Sequence, residues 1–192
     1  MSLCARFTAF ESPGSRALRG FTLVELLVTI AVAAILTMIA APAMQTMLAT
    51  RAVAGNADDL AAALRQARSE ALKRGMPVSV CASADPNAGA AACADGVWTA
   101  GWLVFTDPGA DGSLDSGDSL VRAFTGSRSV ESVVEDDDKA FTTFTANGLV
   151  VGGPRRWVVM PKLSSSDANS QRTVCLPVSG RAQVKTGGEA AC

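Results

Sequence analysis

The sequence predicts an α+β fold in which one long N-terminal helix packs on antiparallel β-sheet. Three observations lead to this prediction. An apolar run from Phe21 to about Met44 is long enough to cross a bilayer, which takes about 20 residues. The amphipathic segment 58–74 continues the helical composition, and beyond Gly75 the chain changes to short apolar segments separated by turn residues.

The predicted helix has an apolar first part and an amphipathic second part. Pro42 and Gly55-Asn56 are its weak points, because proline and glycine disfavour a helix interior. Four apolar residues of the second part share one face at i, i+4, i+7 and i+11: Leu60, Leu64, Ala67 and Ala71. We expect this face to pack on the sheet, and we expect Gly75 and Pro77 to end the helix.

Seven short strands are predicted after the helix: Val78–Cys81, Trp102–Phe105, Leu120–Phe124, Phe141–Thr145, Trp157–Met160, Thr173–Pro177 and Arg181–Lys185. Asn147-Gly148 and Ser179-Gly180 are typical of tight turns. The charged stretch Glu135–Lys139 is expected to be a solvated turn.

Four of the five cysteines lie beyond the apolar run: Cys81, Cys93, Cys175 and Cys192. An even number in an exported domain favours two disulfides. Three connectivities are possible, and the pairing of sequence neighbours, which we predict, joins Cys81 to Cys93 and Cys175 to Cys192. A zinc site is the alternative, but the chain has no histidine and no close C-x-x-C pair.

The net charge does not favour nucleic-acid binding by the chain as a whole. The formal charge is −1, and the first 20 residues carry three arginines against one glutamate. Without that segment the chain is more acidic. Any contact with nucleic acid must therefore come from a local basic patch.

The most informative segment is Arg19-Gly20-Phe21-Thr22-Leu23-Val24-Glu25, where a single acid enters the apolar run. An unpaired carboxylate in hydrocarbon costs about 2.5–3.5 kcal/mol on insertion scales. A cut between Gly20 and Phe21 would create an α-amino group as a nearby counter-charge. An ordinary signal peptide is the alternative, but its apolar core is shorter and its cleavage site follows that core.

This segment resembles the processing site of type IV pilins and type II secretion pseudopilins. The resemblance implies that a prepilin peptidase cuts after Gly20 and methylates Phe21. It also implies that Glu25 pairs with the N-terminal amine of an adjacent subunit during assembly. The expected domains are a cleaved leader (1–20), a transmembrane and assembly helix (21–44) and a pilin-like globular domain (45–192).

Two further segments are similar to the FimT/GspH branch of minor pilins and pseudopilins: Trp98-x-x-Gly101-Trp102-Leu103-Val104-Phe105-x-Asp107 and Cys175-Leu176-Pro177-Val178-Ser179-Gly180-Arg181. The resemblance implies a minor subunit of a type IV pilus, at its tip or at initiation, with other pilins as partners. It implies a single-pass inner-membrane protein with its C-terminal domain in the periplasm. A minor pseudopilin of a type II secretion system is the alternative, since both share the processing site and the fold.

In the FimT branch, a Gly-Arg-x-Arg hairpin near the C-terminus is associated with DNA binding in natural transformation. Gly180-Arg181 matches its first half, whereas Gln183 stands at the position of the second arginine. Arg181, Gln183 and Lys185 would lie on one face of a strand, because every second residue of a strand points to the same side.

Arg155 and Arg156 could extend this basic face if their loop lies nearby. Such a patch would contact phosphates of double-stranded DNA without reading sequence. The alternative is a solvated strand face with scattered basic residues.

The remaining candidate constellation is acidic. Asp107, Asp111, Asp115 and Asp118 fall at positions 1, 5, 9 and 12 of a calcium-loop pattern, but Gly109 occupies a ligand position. We therefore expect an acidic hairpin loop and no metal. The chain lacks histidine, tyrosine and a Gly-x-Ser-x-Gly elbow, so we expect neither an enzyme nor a cofactor.

Overall fold

The computed structural model describes residues 21–94, 96–162, 168–188 and 192. The chain divides after Ala41 into two compact units. Helix α1 (Leu23–Arg74) is followed by eight strands in the described part: β1 (Val78–Ala82), β2 (Gly101–Thr106), β3 (Leu120–Thr125), β4 (Val130–Glu135), β5 (Phe141–Phe144), β6 (Arg155–Pro161), β7 (Arg172–Leu176) and β8 (Gln183–Thr186).

Both ends of α1 carry the groups that helix termini require. The Thr22 hydroxyl oxygen accepts a hydrogen bond from the backbone N–H of Glu25 at 3.2 Å, which satisfies one free donor of the first turn. At the other end, Gly75 adopts φ +65° and its N–H donates to the Ala71 carbonyl. A hydrogen bond from Arg74 lowers the pKa of Glu70, with help from the charge of Lys73.

The strands form two four-stranded antiparallel sheets. The first has the order β3-β2-β1-β5 and the second the order β4-β6-β7-β8. The predicted α+β fold, with a long helix packed on antiparallel sheet, is confirmed.

The core lies between the second half of α1 and the sheets. The predicted helix face is fully buried: Leu60, Leu64, Ala67 and Ala71. These residues share one cluster with Val80 of β1 and Trp157 of β6. Trp98 meets Trp157 edge to face, with ring centroids 5.3 Å apart.

A smaller apolar cluster covers the other face of the first sheet. Leu103 and Phe105 of β2 lie there with Cys81 of β1, which is bonded to Cys93. The second disulfide joins Cys175 of β7 to Cys192. Both bonds join cysteines that are neighbours in the order of cysteines along the sequence. The first ties the loop after β1 to that strand, and the second ties Cys192 to β7.

The structure corrects the strand prediction at three places. Strand β4 was not predicted. Glu135, expected in a solvated turn, ends β4 and is buried, because Arg155 and two backbone N–H groups meet its carboxylate. Arg181, expected inside the last strand, precedes β8, which begins at Gln183.

Candidate functional site

The N-terminal segment presents Phe21 and Glu25 to solvent, and Gly20 lies outside the described residues. With Thr22 as the cap, Glu25 occupies the third helical position, where a carboxylate interacts favourably with the helix dipole. The capping contact fixes the start of the helix within two residues of the expected cut. The carboxylate of Glu25 itself remains exposed and available to a partner amine.

The apolar residues of the first unit are exposed along the helix. Leu26, Ile30 and Ile39 are more than half exposed, as are most of their apolar neighbours. Judged by length and composition alone, α1 is long and apolar enough to cross a membrane, and among the described residues it is the one such helix. Such a surface needs lipid or other apolar helices around it.

The C-terminal hairpin turns at residues 177–180. The Gly180 N–H donates to the Pro177 carbonyl at 2.8 Å, and Gly180 adopts φ +75°. A Cβ on Gly180 would overlap the Gly148 carbonyl oxygen and lie 3.1 Å from the side chain of Arg68. Glycine is therefore required here both for its backbone conformation and for the close approach of a second turn.

This approach creates a basic groove that the sequence did not suggest. Arg65 and Arg68 of α1 line it together with Arg181, and none of its other lining residues is acidic: Ser69, Leu72, Gly180 and Ala182. Arg68 Nε donates to the Gly148 carbonyl oxygen at 3.2 Å, which holds that guanidinium beside the hairpin. We call the surface of Arg65, Arg68 and Arg181 the arginine groove.

Arg155 and Arg156 do not extend this groove, because carboxylates engage both. Arg155 lies 3.8 Å from Glu135 and 3.4 Å from Asp137, and its side chain is 10% exposed. Arg156 forms an ion pair with Asp136. Both guanidinium groups therefore lie beside carboxylates of the same surface.

Gln183 and Lys185 lie on β8, at the edge of the second sheet. Gln183 pairs with Cys175, which pairs in turn with Arg156, so these three residues form one row across the sheet. Lys185 pairs with Thr173 two positions further along, on the same face. Gln183 and Lys185 therefore share one face of β8, whereas Arg181 precedes the strand and lines the groove beside α1.

The acidic loop after β2 is held by internal hydrogen bonds. Asp107 is buried and accepts hydrogen bonds from the Ser79 hydroxyl at 2.6 Å and from the Gly112 N–H at 2.9 Å. The carboxylate of Asp118 accepts from the Asp115 N–H. Within the described ranges, no group of three or more acidic, histidine or cysteine side chains is placed to hold a metal ion.

Sequence reasoning missed Arg65 and Arg68 as site residues. They lie more than 110 positions before Arg181, and both read as the polar face of an amphipathic helix. The available signal was Gly148 in an Asn-Gly turn, which brings a second turn against the helix, but no local pattern shows which turn that helix meets.

Comparison with known proteins gives two family matches. Residues 56–180 match the model of the type II transport protein GspH. Residues 16–41 match the prokaryotic N-terminal methylation motif, and this range contains Gly20, Phe21 and Glu25. Among curated proteins, none matches.

Two crystal structures of the type IV minor pilin FimU from Pseudomonas aeruginosa strain PAO1 are similar to this chain. One has 25% sequence identity and a TM-score of 0.52, and the match covers 72% of this chain and 92% of FimU. The other has 25% identity and a TM-score of 0.51, with 71% and 95% covered.

Proposed function

Since this chain belongs to the GspH family of minor pilins and pseudopilins, we propose that it serves as a minor subunit of a type IV pilus, placed at the tip or at initiation. Members of this family are structural subunits and not enzymes. The family implies assembly with other pilins and processing by a prepilin peptidase.

The methylation motif carries this proposal, together with the exposed apolar helix that follows it. Cleavage between Gly20 and Phe21 would free an amine four residues before Glu25. A buried carboxylate is stable only when it is paired, so Glu25 favours the assembled fibre, where a neighbouring subunit supplies the amine. The leader's arginines favour a cytoplasmic N-terminus and a periplasmic globular domain.

A minor pseudopilin of a type II secretion system is the alternative. The likeness to FimU, which is a type IV minor pilin, supports the pilus. Deletion of this chain's gene separates the two functions. Loss of surface pili with normal protein secretion supports the pilus, whereas normal piliation with blocked secretion overturns it.

We propose DNA capture as an added function, on the basis of the arginine groove. Three arginines from two distant parts of the chain line this groove, and no lining residue is acidic. Arginine suits phosphate contact, because its planar fork binds two oxygens at once. The carboxylates beside Arg155 and Arg156 argue against these two arginines as part of the contact surface.

The salt dependence of binding tests this surface. Each phosphate contact on duplex DNA contributes a slope of about −0.9 in log affinity against log salt, so three contacts give about −2.7. Arg65→Ala and Arg181→Ala should each weaken binding to all sequences alike and reduce the slope by about 0.9. Arg122→Ala is the control, because Arg122 lies on β3 and stacks over Phe124, 4.6 Å from the ring centroid.

The measurement is a titration of the globular unit, 42–192, with duplex DNA at several salt concentrations. No binding by the wild-type unit at low salt excludes DNA capture. Equal losses in Arg122→Ala and Arg181→Ala exclude the arginine groove as the contact surface.

A further inference from the structure

A second groove opens beside the start of the globular unit, at residues that follow directly on the apolar run. Gln45, Leu48 and Ala49 of α1 form one wall of this groove of about 300 Å³. The opposite wall consists of Arg128, Ser129 and Lys162.

The sheet register brings the two cations of this groove together. Val130 of β4 pairs with Pro161 of β6. Arg128 precedes that pair by two residues and Lys162 follows it by one, so both lie at the same end of the second sheet. Both side chains are exposed, and none of the lining residues is acidic.

The helix wall of the groove is apolar and open to solvent. Leu48 is 60% exposed, and Met44 and Met47 beside it on α1 are more than half exposed. Ala49 alone among the lining helix residues is buried. An apolar strip flanked by cations is the composition of a surface that rests at a bilayer interface.

The helix wall of the groove follows in the sequence directly after the segment that is expected to span the bilayer. A bilayer's hydrocarbon takes about 20 helical residues, which counted from Phe21 ends near Ala40. Gln45 and Leu48 follow within about two helical turns. Side chains at that depth meet phosphate groups and the outermost acyl carbons, and lysine and arginine extend their charged ends to this level.

We propose that Arg128 and Lys162 bind the phosphates of anionic phospholipid headgroups in the membrane that holds the anchor. The amide of Gln45 and the hydroxyl of Ser129 supply further hydrogen-bond donors, and Leu48 contacts the acyl boundary. The contact holds the globular domain against the bilayer before the subunit enters the fibre. The inference rests on the proposed membrane-anchored state.

The test is hydrogen exchange of the full processed chain in nanodiscs, followed by mass spectrometry. Discs of phosphatidylcholine alone are compared with discs that also contain phosphatidylglycerol. Each cation at an anionic surface contributes about fivefold to the affinity. We therefore expect exchange in segments 126–132 and 160–162 to slow at least about fivefold in the anionic discs, and high salt to reverse the effect. Inorganic phosphate added to neutral discs should leave exchange unchanged, which separates the lipid from a free anion.

Arg128→Gln/Lys162→Gln should abolish the lipid-dependent protection. Lys73→Gln/Arg74→Gln is the matched control, because it removes two cations at the far end of α1 and should keep the protection. Equal exchange in both kinds of disc, or protection that survives Arg128→Gln/Lys162→Gln, would overturn the proposal. Recovery of the chain with the discs is measured separately. A chain that is not recovered with either kind of disc would contradict the proposed membrane anchor and not the lipid contact.

Discussion

Gly180→Ala tests whether the close approach of two turns builds the arginine groove. The substitution adds one methyl group at a residue with φ +75°, against the Gly148 carbonyl oxygen and 3.1 Å from the Arg68 side chain. The hairpin must move to admit it. That movement breaks the hydrogen bond from Arg68 Nε to Gly148, which measures 3.2 Å.

The expected loss of stability has two parts. Placing alanine in the left-handed region costs about 1 kcal/mol after the smaller entropy of its unfolded chain is included. Loss of a hydrogen bond from a charged donor adds about 1.5–3 kcal/mol. Gly180→Ala should therefore lower the free energy of unfolding by about 3 kcal/mol.

Gly75→Ala is the matched control for this prediction. Gly75 has a similar φ of +65°, but a Cβ there would meet nothing within 4 Å. It should cost only the conformational part, about 1 kcal/mol. Denaturant unfolding of the oxidised unit 42–192 measures both variants under one set of conditions. If Gly180→Ala lowers the free energy of unfolding no more than Gly75→Ala does, the two turns are not in close contact. The groove is then not fixed by their contact.

Three further predictions concern the fibre, the buried ion pair and the disulfides. Glu25→Ala should be inserted and cut normally but be lost from sheared fibres, since assembly provides the partner of the carboxylate; wild-type amounts in the fibre fraction would show that Glu25 is dispensable. Arg155→Ala should lower the free energy of unfolding by about 3 kcal/mol, because it leaves the 1% exposed Glu135 without its counter-ion. Arg156→Ala should cost less than about 1 kcal/mol, because the side chains of its ion pair with Asp136 are 34% and 39% exposed. Equal losses of stability in denaturant titrations would contradict this difference in burial. Non-reducing peptide mapping should recover Cys81 with Cys93 and Cys175 with Cys192, and Cys175→Ser/Cys192→Ser should destabilise by about 3 kcal/mol, as a closed loop of this length predicts; a Cys81–Cys175 peptide would refute the pairing.

The helix and the fully buried strands were predictable because their patterns are local. The face of Leu60 and Leu64 follows from helical spacing alone. The run Trp102–Phe105 reads as a strand because every residue in it is apolar, and β2 is indeed buried on both faces. The turns at Gly148 and Gly180 were also predictable, because their glycines follow Asn147 and Ser179, pairs that are typical of tight turns.

Strand β4 escaped prediction because its inward and outward residues do not alternate in polarity. Val134 faces solvent and Glu135 faces inward, and a register shift lies between Val130 and Ser132. An inward glutamate is stable here because two backbone N–H groups and Arg155, 20 positions later, meet its carboxylate. The arginine groove was not predictable either. Arg65 and Arg181 line one groove only through tertiary packing, which no local sequence pattern indicates.

The N-terminus of the chain in its assembled form tests the central claim most directly. The measurement is mass spectrometry of the N-terminal peptide from the sheared fibre fraction. A fibre subunit of this family should begin at Phe21 and carry one added methyl group on its amine. A chain in that fraction that begins at Met1, or after a cut elsewhere in the apolar run, would contradict the assignment of this protein as a processed pilin-like subunit.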